Sequence, residues 1–108
     1  MLESLDRFHR SLDENRFYDA HEDLEHWWFP RRKTKTNEVL FIKGLINSAV
    51  AFELVKKNKI DQAKKVWNNY KKYKTKIDTI DSPYKDQYIN SIKKVEYIAQ
   101  KVGIITAG

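Results

Sequence analysis

The sequence contains no cysteine, and it has only three glycines and two prolines among 108 residues. The lack of cysteine excludes disulfide bonds, thiol nucleophiles and cysteine-ligated zinc. So little glycine and proline argues against an all-β or loop-rich protein. No apolar run reaches the roughly 18 residues of a membrane span, and Glu3 and Asp6 stand where a signal peptide carries lysine or arginine. We therefore expect a soluble, cytoplasmic protein with no membrane-spanning segment.

Aromatic residues are plentiful in spite of the high charge. The three tryptophans, six tyrosines and five phenylalanines supply enough apolar bulk for one core. A second core would be too small at this length, so we expect one domain over residues 1–108. The net charge of +6 is uneven: residues 1–26 hold eight acidic and three basic side chains, and residues 27–108 hold seven and eighteen. Clustered lysines either bind a polyanion or solvate helix faces, and we favour the second interpretation.

Apolar residues recur at three- and four-residue spacing along the whole chain, which predicts helices. The third segment is apolar nearly all round, as expected for a helix in the centre of its bundle. The pattern breaks at Asn15 and Asn58, and Ser82-Pro83 is expected to open the fifth helix. The predicted fold is an all-α, single-domain bundle of about five helices, followed by an apolar tail. The predicted segments are helices at 2–14, 17–29, 38–57 and 60–77, a fifth that ends before Gly103, and the tail at 104–108.

Residues able to do chemistry are concentrated in the second helix, in the run AHEDLEHWW at 20–28. Residues four apart share a helix face, so we expect His21 beside Glu25 and Glu22 beside His26. His21-Glu22-x-x-Glu25 is similar to the HExxH pattern of zinc proteases, in which the side chains four apart bind the metal and the intervening glutamate activates water. The alternative is an imidazolium–carboxylate pair, which stabilises a helix by roughly a few tenths of a kcal/mol.

A metal site would need further ligands from other helices. His9 on the first helix and Glu53 on the third are the remaining candidates. The third helix also carries Lys43 and Asn47, four residues apart on one face, and a polar group near a core needs a partner. Gly44, between them, would allow another helix to approach closely.

Two motifs in this order carry a family resemblance. The first is FYDAHEDLE at 17–25, followed by Trp28, and the second is FIKGLINSAVA at 41–51. Together they resemble the bacterial family known as domain of unknown function 309, over roughly residues 12–72. The resemblance implies a small all-helical fold and a metal-dependent hydrolase activity with no known substrate.

By position, the polar residues shared in that family fall on His21, Glu22 and Glu25. Relatives commonly carry glutamine where this chain has Lys43 and Asn47. We expect all five residues to form one half-buried cluster between the second and third helices. In a hydrolase, His21 and Glu25 would bind a divalent metal (Zn²⁺ or Mn²⁺), Glu22 would activate water, and Asn47 would orient the substrate or stabilise an oxyanion. Lys43 would turn away from the metal or pair with Glu22 or Glu25.

A non-catalytic helical module is the competing hypothesis. In it the cluster is a structural network, and the exposed surface binds a protein partner, an anionic polymer or a second copy of the chain. Asp23 and His26 are expected to be surface residues. Nucleic-acid binding is a weaker alternative: the fourth helix interleaves lysines with aromatic residues at 64–74, but Trp67, Tyr70 and Tyr73 fall on its apolar face and are expected in the core.

Overall fold

Five α-helices and two short 3₁₀ helices make up residues 1–104, the part of the chain that the computed structural model describes. Those residues contain no strand, so the predicted all-α bundle is confirmed. The predicted apolar tail lies almost entirely outside the described residues. None of the described helices has the length and apolar character needed to cross a membrane. The helices are α1 (Leu2–Asp13), α2 (Phe17–Trp28), α3 (Asn37–Lys56), α4 (Ile60–Lys74) and α5 (Lys85–Val102), with 3₁₀ helices at Phe29–Arg31 and Thr75–Thr79.

Two asparagines end helices α1 and α3, as the sequence predicts. Asn15 has a φ of 58° and Asn58 a φ of 63°, a left-handed conformation that asparagine tolerates better than most residues. The backbone N–H groups of Arg16 and Lys59 then bond back to carbonyl groups in the last turn, each at 2.8 Å. These bonds satisfy carbonyl groups that a helix end leaves without partners.

Helix α3 is the centre of the bundle, and ten of its twenty residues are buried. The Thr36 side chain accepts a hydrogen bond from the Val39 backbone N–H at 3.2 Å, which caps the start of the helix. A Cβ built on Gly44 would lie 2.9 Å from the Cβ of Tyr73 in α4. The prediction that Gly44 allows a close helix contact is therefore confirmed, and α4 is the helix that approaches.

The predicted boundaries between α4 and α5 were wrong. Helix α4 ends at Lys74, three residues before the predicted end, because the chain tightens into a 3₁₀ helix in which the Thr75 and Thr79 hydroxyls donate to carbonyl groups three residues back. Ser82 caps a turn and not the helix itself, since its hydroxyl accepts a hydrogen bond from the Tyr84 N–H at 3.1 Å. Helix α5 begins only at Lys85.

Polar side chains from three helices hold α5 in place. Burial raises the pKa of Tyr70 and Tyr88 far above the ordinary value, so both phenols stay protonated and act as donors. These bonds supplement the buried apolar face of α5. The polar links are His9–Ser91 (2.6 Å) and Asp13–Lys94 (2.5 Å) from α1, Glu38–Tyr88 (2.6 Å) from α3, and Tyr70–Glu96 (3.0 Å) and Lys74–Glu96 (2.5 Å) from α4.

Candidate functional site

His21 and Glu25 lie side by side at the edge of α2. The helix buries Phe17, Ala20 and Leu24 against the bundle, so the next positions round the helix are only partly covered. The His21 Nε2 atom is 2.5 Å from the Glu25 Oε2 atom, and the side chains are 22% and 41% exposed. The pair that the four-residue spacing predicts is therefore formed.

Glu22 lies on the exposed side of the same helix. It makes no ion pair with His26, which is also exposed, so the second pair expected from the spacing is not formed. Its carboxylate instead interacts with Tyr18, and hydrogen bonding to Glu22, followed by its negative charge, raises the pKa of the Tyr18 phenol. The Tyr18 ring is also 5.7 Å from the His21 ring, between centroids. Glu22 thus faces solvent and Tyr18.

A shallow groove of about 320 Å³ lies between His21 and the C-terminal half of α3. Its apolar surface includes Val50 and Leu54. Glu53, one of the candidate ligands, lines the same groove, but its Oε1 atom lies 3.7 Å from the Nζ atom of Lys57. The groove therefore brings His21 and Glu53 to one place, with a lysine beside the second carboxylate.

Lys43 and Asn47 lie towards the other end of α2. The Lys43 ammonium is 4.6 Å from the centroid of the Trp28 ring, and the Asn47 side-chain amide donates to the Lys43 backbone carbonyl at 2.8 Å. His21 and Trp28 are seven residues apart, or about 10 Å along a helix axis. The groove beside His21 is lined by residues from the range 50–57, at the C-terminal end of α3 and just after it, whereas Lys43 faces Trp28. The five predicted residues therefore do not form one cluster.

The side chains around His21 are not arranged as a zinc site. No group of three or more histidine, aspartate or glutamate residues within 1–104 is arranged to hold an ion, and zinc sites use at least three protein ligands. The 2.5 Å between His21 Nε2 and Glu25 Oε2 is also shorter than the roughly 3.3 Å that separates two ligands in a tetrahedral site. His9 is engaged with Ser91 on α5. The ligand roles of His21 and Glu25 stay predictions.

Asp23 makes a structural contact that the sequence pattern did not predict. The buried Ser11 hydroxyl of α1 donates to the Asp23 carboxylate at 2.7 Å, and Asp23 is partly covered. Asp23 is therefore a partly exposed residue that also bonds to α1, a contact that was not expected, whereas His26 is exposed as expected. The available signal was Ser11 itself, a polar residue next to Leu12 on the apolar stripe of α1, where a buried hydroxyl requires a partner.

Two of the three aromatic residues of α4, Trp67 and Tyr70, lie in the core as expected, whereas Tyr73 is only partly buried. Trp67 is 4% exposed and Tyr70 is 1% exposed. Their rings stack with centroids 4.4 Å apart, and the Phe52 ring of α3 packs against Trp67. These rings are not available to stack on nucleic-acid bases. The lysines on the opposite face of α4 are exposed.

These features define a class of protein: an all-helical bundle with a histidine–carboxylate pair at the edge of its second helix. Residues 5–66 match the model of the family described as Domain of unknown function (DUF309), and the chain belongs to this family. The matched stretch begins in α1 and ends in α4, so it contains His21, Glu22 and Glu25. No curated protein and no solved structure matches the chain.

Proposed function

We propose that this protein is a non-catalytic helical interaction module, in which the polar residues of α2 and α3 stabilise helix packing. One observation carries the proposal: these side chains bind separate partners along two helices and do not converge on a common point. At one end His21 binds Glu25, and at the other Lys43 lies over the ring of Trp28. A catalytic site needs its groups within reach of one reacting atom.

The hydrogen bonds of the more buried polar groups support a structural role. Ser11 joins α1 to α2 through Asp23, and the fully buried Ser48 hydroxyl donates to the Leu45 carbonyl of its own helix at 2.5 Å. Asn47 is likewise bonded to its own helix. An unsatisfied buried polar group costs about 1–3 kcal/mol. These bonds avoid that cost, and they leave the groups occupied within the fold.

Exposed aromatic side chains support a role in association. Tyr18, Phe29 and Tyr97 are 59%, 53% and 67% exposed. Aromatic residues are enriched in protein–protein interfaces, where they bury a large area with few rotatable bonds. Binding of a partner protein, or of a second copy of the chain, is part of the proposal.

A metal-dependent hydrolase is the second candidate, and the groove shared by His21 and Glu53 is the observation that favours it. A metal could bind there only if His21 and Glu25 moved apart and Glu53 left Lys57. Such a change would make stability depend strongly on the metal, because the ion would bind only the folded chain. Metal dependence therefore separates the two candidates.

The test measures metal content and thermal stability on protein purified without a chelator or an affinity tag. We expect no stoichiometric metal and no shift in Tm on adding Zn²⁺ or Mn²⁺. The variant His21→Ala should lower the free energy of unfolding by up to about 1 kcal/mol, since the pair with Glu25 is partly exposed. The matched variant His26→Ala, at an exposed position of the same helix, should have no effect. One metal per chain that is lost in His21→Ala and kept in His26→Ala would overturn the proposal.

A further inference from the structure

A second groove, of about 690 Å³, lies where the C-terminal ends of α1, α3 and α5 meet. It is separate from the groove beside His21, although Phe17 contributes to both. Its surface is mainly apolar, with side chains from four helices. The apolar side chains that line it are Leu12, Phe17, Phe52, Val55, Ile98 and Val102.

The rim of this groove is positively charged. Four lysines and one aspartate line it, and Lys94 is neutralised by Asp13 at 2.5 Å. Lys56 and Lys101 lie in the last turns of α3 and α5, where a cation also offsets the helix dipole. Lys93 lies in the middle of α5, is exposed, and makes no ion pair within residues 1–104. Lys56 also donates to the Asn15 carbonyl at 3.4 Å. The net charge of the rim is therefore positive, and Lys93 is a rim lysine for which the described residues supply no polar partner.

One edge of the groove has a regular pattern. Lys93, Tyr97 and Lys101 follow each other at four-residue intervals on α5, so they form a single stripe about 12 Å long. Tyr97, in the middle, is 67% exposed, the largest value among the exposed apolar side chains of the described residues. This arrangement, an aromatic side chain between two cations beside an apolar surface, is typical of the edge of a protein-binding site. Tyrosine supplies contact area, and the lysines supply charge complementarity.

We propose that this groove binds an acidic amphipathic helix of a partner protein; the inference rests on the proposed interaction function and names its partner. The apolar face of such a helix would lie on Phe52, Val55 and Ile98. Acidic residues seven or eight positions apart on the partner lie about 10–12 Å apart, which matches the stripe from Lys93 to Lys101. Nucleic acid fits less well, since its phosphates would pair with the rim and leave the apolar surface uncovered.

The probe is a synthetic, fluorescein-labelled peptide of about 15 residues, with leucines at three- and four-residue spacing and glutamates on both sides. Binding to the full chain is measured by fluorescence anisotropy, and the contact surface by amide chemical shifts. We expect saturable binding that weakens as NaCl rises from about 0.05 M to about 0.5 M, because the salt screens the rim charges. A peptide with lysine in place of each glutamate should not bind.

Variants at exposed positions locate the site without disturbing the core. Lys93→Glu should weaken binding about fivefold through loss of attraction and added repulsion, and Tyr97→Ala should weaken it about tenfold through loss of an exposed anchor. The matched controls are Lys71→Glu and Ile60→Ala on α4, both exposed and outside this groove. Each control should change the dissociation constant less than about twofold.

Several results would overturn the groove assignment. They are absence of peptide binding, equal weakening by Lys71→Glu and Lys93→Glu, and shifts confined to α4. Binding to phosphatidylglycerol vesicles without binding to the peptide would also contradict it, by showing that the basic surface binds an anionic lipid and not an acidic helix. None of these results bears on metal binding at His21, so failure of the groove assignment is distinguishable from failure of the non-catalytic function.

Discussion

The contact between α3 and α4 at Gly44 predicts a large effect from a single methyl group. In Gly44→Ala, the new Cβ would lie 2.9 Å from the Cβ of Tyr73, and both atoms are fixed to helix backbones. The clash can therefore be relieved only if the two helices move apart. The cost of that movement lies at the upper end of the range for overpacked cores, about 3 kcal/mol. Alanine recovers about 1 kcal/mol through its better helix propensity. The net expectation is a loss of about 2 kcal/mol in the free energy of unfolding.

Urea denaturation followed by circular dichroism measures this loss, and a double-mutant cycle identifies its origin. In a Tyr73→Gly background the opposing Cβ is gone, so Gly44→Ala should be neutral or should stabilise the protein by up to about 1 kcal/mol. Gly103→Ala is the control, because Gly103 has no neighbour within 4 Å and its φ of 86° alone opposes alanine. It should destabilise equally in both backgrounds. An equal effect of Gly44→Ala in both backgrounds would refute the close-contact argument.

Two further predictions concern the polar links of α1. Burial, followed by the charge of Lys94, lowers the pKa of His9 below 6.5, so the unfolded chain takes up the proton first. The contribution of neutral His9 to stability is complete above pH 6.5 and decreases as the pH falls from there towards the folded-state pKa. His9→Gln should remove that part of the pH dependence of the free energy of unfolding, as measured in urea titrations. An unchanged pH profile would contradict the assignment of this dependence to His9. Ser11→Ala leaves the Asp23 carboxylate without its partner and should cost about 1–2 kcal/mol; the double variant with Asp23→Ala should recover part of the loss in the same assay, and no recovery would argue against the link.

The sequence was sufficient for features that depend on local rules. Helix ends at Asn15 and Asn58 follow from the tolerance of asparagine for positive φ, and the central place of α3 follows from its apolar circumference. The contact of His21 with Glu25 is also local, because four residues make one turn. In each of these cases the deciding interactions lie within one helix or one turn.

Features that depend on how helices align could not be predicted in this way. The grouping of Lys43 with His21 assumed that the same turns of α2 and α3 face each other, whereas packing places Lys43 opposite Trp28. The contact of Ser11 with Asp23 likewise depends on the alignment of α1 with α2. The end of α4 was misplaced for a different reason: the hydroxyl of Thr75 competes for backbone carbonyls, and apolar spacing carries no information on that competition.

Helix α5 has a consequence for how this protein can change during evolution. The family match ends at residue 66, so α5 lies wholly outside it, while the motif helices α2 and α3 lie within it. Lys93, Tyr97 and Lys101 project from the exposed edge of α5, and its buried side makes the contacts that hold it to the bundle. If the proposed groove binds a partner helix, mutations along that edge would alter which partner is bound while the matched helices keep their sequence, and selection would act on recognition and on folding separately.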